Sequence, residues 1–123
     1  MNFIPELQNA FAEIAAKNLH KESLAVENQL LLNDASVKVN HVVHEAATAG
    51  FTVSSVRTTP DFWMFTINGR SITIGHDELF KRLMPDYDLS DLNKVKQLRE
   101  TSMETAIQSI IVEQVRAELK EIF

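Results

Sequence analysis

The thirteen residues Phe62-Trp63-Met64-Phe65-Thr66-Ile67-Asn68-Gly69-Arg70-Ser71-Ile72-Thr73-Ile74 constrain this chain more than any other stretch. Asn-Gly is the preferred pair for a two-residue type I′ turn, because both central positions need φ > 0. With Asn68 and Gly69 as the loop, Ile67 faces Arg70, Phe65 faces Ile72 and Trp63 faces Ile74. Side chains alternate faces along a strand. One face of the ribbon then carries Trp63, Phe65, Ile67, Ile72 and Ile74, and the other carries Met64, Thr66, Ser71 and Thr73. A lone hairpin is marginal in water, so the apolar face needs a third strand, helices or a partner over it. Phe51–Val56 is the expected third strand, joined through Thr58-Thr59-Pro60-Asp61.

The rest of the chain reads helical. Pro5 suits a first helical turn, and Phe3, Ile4, Leu7, Phe11 and Ile14 follow at helical spacing. Helices are expected over 5–18, 21–32 and 35–49, or as two longer ones. Asn33-Asp34 serves as a break and Gly50 stands where a C-cap favours glycine. A short helix is expected over 78–84, capped from Gly75-His76-Asp77 and stopped by Pro85. Residues 90–123 hold neither Gly nor Pro. As one helix they would run about 50 Å, against a radius of gyration of about 14 Å for a compact domain of this length. Either the segment breaks, at the T-x-x-E capping box Thr101–Glu104, or another chain covers the overhang. The expectation is one α+β domain over 1–123: helical 5–49, an antiparallel two- or three-stranded β-meander at about 51–75, and a long C-terminal helical segment, 78–123.

Composition narrows the chemistry. The chain has 123 residues, no cysteine and a net charge of −5. Cysteine nucleophiles, zinc fingers and iron–sulfur ligation are excluded, and a reducing, cytoplasmic setting is expected. No basic, apolar leader opens the chain, and no apolar run approaches the roughly 18 residues a membrane span needs. The charge is −3 over residues 1–50, zero over 51–86 and −2 over 87–123. Only Lys81-Arg82 and Lys94, Lys96, Arg99 cluster positive charge, so a broad phosphate-binding surface is disfavoured.

The candidate sites are few. His41, His44 and Glu45 fall three and four apart on a helix and could share a metal ion, with His20 or His76 as further ligands, but the pattern is not H-E-x-x-H. An exposed polar edge explains the same residues. His76-Asp77 is a weak His–carboxylate pair. Neither glycine-rich phosphate-loop pattern occurs, and no G-x-S-x-G elbow does. Trp63 and Phe65 with Arg57 and Arg70 could stack bases, though alternating aromatics on a strand are usually core. No catalytic residue, cofactor or resident metal is expected.

The strongest positive signal is the apolar stripe Met103, Ile107, Ile110, Ile111, Val115, Leu119, Ile122 and Phe123. It reads as core or as an interface for a second helix. The leading expectation is a small non-enzymatic protein-interaction protein of adaptor, accessory or inhibitor type, self-associating as a homodimer through this C-terminal helix. The alternatives are a winged helix-turn-helix DNA-binding regulator reading bases with residues 35–49, and a small metal protein or enzyme using His41, His44 and Glu45. The recognition segment carries no Arg and its region is acidic, so nucleic acid is an unlikely partner.

Overall fold

A computed structural model describes the backbone of residues 2–122 and the side chains of residues 2–119. The chain is α+β and mostly helical. Its elements run α1 (Phe3–Thr48), β1 (Arg57–Thr58), β2 (Phe62–Ile67), β3 (Arg70–Gly75), α2 (His76–Leu83), α3 (Leu92–Arg99) and α4 (Met103–Ile122).

The hairpin forms in the expected register, with Ile67 opposite Arg70, Phe65 opposite Ile72 and Trp63 opposite Ile74. Asn68 and Gly69 take φ of 50° and 78°, as a type I′ turn requires. Trp63, Phe65, Ile72 and Ile74 are buried, while Ser71 and Thr73 are exposed. The sheet order is β1-β2-β3, all antiparallel. The third strand is shorter than expected and lies beyond the expected Phe51–Val56, taking Thr58 from the expected connection. Only Arg57 and Thr58 pair continuously with β2, and Val53 adds an isolated bridge to Ile67. The two pairings differ in register by one residue, with four steps from Val53 to Arg57 against three from Ile67 to Met64; in between, the Ser54 N–H donates to the Thr66 carbonyl at 3.1 Å and the Ser54 hydroxyl accepts the Thr66 N–H at 2.7 Å. The free edge of β3 is covered instead by Gln114 of α4. Its side-chain amide accepts from the Thr73 N–H at 3.1 Å and donates to the Thr73 carbonyl at 2.5 Å.

The helical half departs most from expectation. Residues 3–48 form one continuous helix, about 69 Å long. Asn33-Asp34 does not break it. The Asp34 carboxylate, free to cap in isolation, accepts from Arg99 Nε of α3 at 2.9 Å, and Asn33 accepts from Gln29 one turn earlier. No glycine or proline lies between Pro5 and Gly50 to stop propagation. Gly50 ends the helix as expected, with φ 102°. The Phe51 N–H reaches the Ala46 carbonyl and the Gly50 N–H the Ala47 carbonyl, the paired bonds of a Schellman cap.

The C-terminal segment is two helices. The break falls at 100–102, at the expected Thr101, but the capping box is not used. The Thr101 hydroxyl donates back to the Leu98 carbonyl at 2.6 Å, and Glu104 turns to α1. The cap of α3 is Asp91, whose carboxylate accepts from the Asn93 and Lys94 N–H groups. Nor does Asp77 cap α2, which starts at Gly75 without a side-chain cap.

One apolar core results. Leu31, Ala35, Val39 and Val43 of α1 meet the sheet's inner face, Leu79 and Phe80 of α2, Val95 and Leu98 of α3, and Met103, Ile107, Ile110 and Ile111 of α4. Trp63 is fully buried, and its Nε1 donates to the Ser36 hydroxyl of α1 at 2.9 Å.

Candidate interaction surfaces

The core uses only the second half of α1. Residues 2–22 are exposed at every position. The helix therefore runs about 30 Å before its first half-buried residue, Ser23. This arm carries Phe3, Ile4, Leu7, Phe11 and Ile14, the stripe expected of a core-facing helix, and Phe11 is 64% exposed. A second set, Leu19, Val26, Leu30 and Val37, continues along the side of α1 turned away from the core. At about 100° per residue the two sets lie roughly a quarter turn apart. Soluble chains expose single apolar residues routinely, whereas here nine large ones follow one another along a single helix. Helices of under about 12–15 residues are marginal in water without packing, and most helical stability comes from burying a face.

The C-terminal stripe divides. Met103, Ile107, Ile110 and Ile111 belong to the core of their own chain, so within one molecule they offer nothing to a partner. Val115 and Leu119 are exposed, with Val112 beside them. Ile122 and Phe123 fall outside the described side chains. Val112 and Val115 line a shallow apolar groove with Ala46, Phe51, Ile67 and Ile111, between the end of α1, the hairpin and α4. The length argument that pointed to an overhang at the C-terminal segment applies instead to α1.

The polar candidates resolve differently. His41, Glu45 and Glu104 place one ligand atom each within 4.8 Å of one another. His41 Nδ1 is 3.1 Å from Glu104 and 3.8 Å from Glu45. Glu104, on α4, was missing from the sequence set because no spacing rule links residues 63 apart. His44 does not join; it and His20 are exposed on α1. The Lys38 ammonium also reaches Glu104, at 3.3 Å. That hydrogen bond, chiefly, holds the Glu104 carboxyl below its ordinary pKa, with His41 adding to it. The seam is thus an ion-pair lattice tying α1 to α4, with a cation already in place.

His76 lies apart, its ring centroid 4.2 Å from that of Trp63. Burial lowers its pKa, against a smaller opposing pull from Asp61. Its Nε2 is buried without a partner among the described residues. It does not pair with Asp77, whose carboxylate accepts from the Tyr87 hydroxyl and pairs with Lys81. That hydrogen bond pushes the Tyr87 hydroxyl up to about 12.

Of the five clustered cations, four are paired with carboxylates, and Lys96 makes no ion pair among the described residues. Arg82 makes a bidentate pair with Glu113 at 2.7 Å, and Arg99 binds Glu27 and Asp34. Lys81 pairs with Asp77 and Lys94 with Asp86. Trp63 and Phe65 are buried and form no stacking platform. Residues 35–49 are the packed end of α1 rather than a separate helix after a turn. Among the described residues, no helix is long and apolar enough to cross a membrane. No family model, curated protein or solved structure matches the chain.

Proposed function

We propose that the protein is a small non-enzymatic protein-interaction protein, of adaptor, accessory or inhibitor type, that self-associates and works in the cytoplasm. The exposed apolar face of α1 carries this reading. The chain builds a complete core from residues 24–111 and leaves large aliphatic and aromatic side chains in water on a helix that extends beyond it. Binding to such a helix needs only a groove or a second helix, and the recognition is read as anchors three and four residues apart. The groove by Val112 and Val115 is a second, smaller docking surface.

The test is the absolute mass in solution by light scattering coupled to size exclusion. The full chain is expected at twice its 13.9 kDa. Leu19→Glu/Val26→Glu is expected to run as a monomer, and Val115→Glu/Leu119→Glu to remain associated. A full chain that stays at 13.9 kDa up to about 100 μM overturns self-association.

A further inference from the structure

Ile4, Ala15, Val26 and Val37 recur every eleven residues along α1, and Leu19 and Leu30 stand eleven apart beside them. All six are exposed. Eleven residues per three turns is about 3.67 per turn, slightly more than the helix's own 3.6, and a stripe of that period winds two helices into a right-handed coil. The buried positions of the same helix, Leu31, Ala35 and Val39, lie on the other side. The stripe therefore faces away from the body along its whole course, from residue 4 to 37, about 50 Å. A loop or a small ligand cannot cover that length; an elongated helix can.

Resting on the self-association proposed above, we propose that the occupant is α1 of a second copy, laid antiparallel, with Ile4 opposite Val37 of the partner subunit and Ala15 opposite Val26 of the partner subunit. Three observations select this occupant and direction. First, the stripe is complementary to itself: its four positions are evenly spaced, so a second α1 laid antiparallel meets it apolar residue to apolar residue along about 50 Å. Second, the positions flanking the stripe are mostly uncharged, with Gln8, Ser23, Gln29 and Asn33 among them, as interface cores favour. Third, the charge sits in the bodies. Residues 1–22 hold three acids and two bases, leaving −4 of the −5 on residues 23–123. An antiparallel pair holds the two acidic bodies at opposite ends, whereas a parallel pair sets them side by side, where they repel.

The chain has no cysteine, so engineered thiols report the arrangement without background. Ile4→Cys, Val37→Cys and the double variant would be air-oxidised at a concentration where light scattering gives a dimer. A disulfide needs Cα atoms within about 7 Å. Antiparallel pairing predicts a covalent dimer for the double variant and almost none for either single variant. Covalent dimers from the single variants mean parallel pairing: the inference fails while self-association stands. A dimer that none of the variants links overturns the inference in the same way. A monomer at every concentration overturns both. All these positions are exposed, and unchanged helical circular dichroism shows that the variants fold.

Discussion

The division of the C-terminal stripe can be measured with one pair of substitutions. Ile107 is fully buried and belongs to the core, while Val115, two turns further along α4, is 42% exposed. Ile107→Ala removes a buried branched side chain and leaves a cavity between α4, the sheet and α1. Such truncations cost about 2–5 kcal/mol, a large fraction of the roughly 5–15 kcal/mol that holds a domain together. For a chain of this length about 1 kcal/mol moves Tm by about 3–5 °C, so Tm should fall by about 6–25 °C. Val115→Ala removes two methyl groups that are already half in water and should stay within about 0.5 kcal/mol, or about 2 °C. Both variants should be melted at one fixed concentration, because association alone shifts Tm. Equal shifts, or a larger one for Val115→Ala, would refute the assignment of Ile107 to the core and return the whole stripe to the interface.

Two smaller predictions concern the sheet and its neighbour His76. Gly69 has φ 78°, and a Cβ added there meets nothing within 4 Å, so Gly69→Ala should cost about 1 kcal/mol from backbone conformation alone; Gly69→Asn should cost less in the same urea titration, since Asn tolerates that region. Burial lowers the His76 pKa from 6.5, so the unfolded chain binds a proton more readily than the folded one. The stability this group contributes is present above pH 6.5 and is lost as pH falls through its lower folded value. Urea midpoints should therefore drop from pH 7 to 5, and His76→Phe should flatten that segment; an unchanged slope would mean that His76 is not the group responsible.

The hairpin was legible because its signals are local. Asn68-Gly69 sets the register, and alternation then assigns every face. Gly50 and the break near Thr101 were legible for the same reason. The span of α1 was not, because Asp34 reads as a cap until Arg99, 65 residues away, takes its carboxylate. Periodicity found the apolar residues of 3–14 and of 103–119, and in both cases it gave a face without saying what lies against it. For Met103–Ile111 the answer is the protein's own core, and for Phe3–Ile14 it is water. Which stripe meets the body depends on where the chain returns, and helical spacing carries no information about that. Glu104 was missed beside His41 and Glu45 for the same reason.

The continuity of α1 has an energetic consequence for any partner. Helix formation is limited by nucleation, and once a helix exists each added residue costs little. Residues 24–48 are nucleated and held by the core, so the arm propagates from a fixed end, and Ala10, Ala12, Ala15 and Ala16 favour that propagation. The arm thus offers its apolar residues already ordered, and a partner does not bear the entropy of folding them. A peptide of residues 2–22 has the same side chains but must nucleate alone and has no packed face, the source of most helical stability in proteins. It should show little helical circular dichroism in buffer. If the chain self-associates as proposed, the peptide should also fail to dissociate that dimer except at far higher concentration than unlabelled full chain needs. If the peptide competes as well as the intact chain, the body adds nothing to presentation, and the surface is a linear motif rather than a helix held in place by the fold.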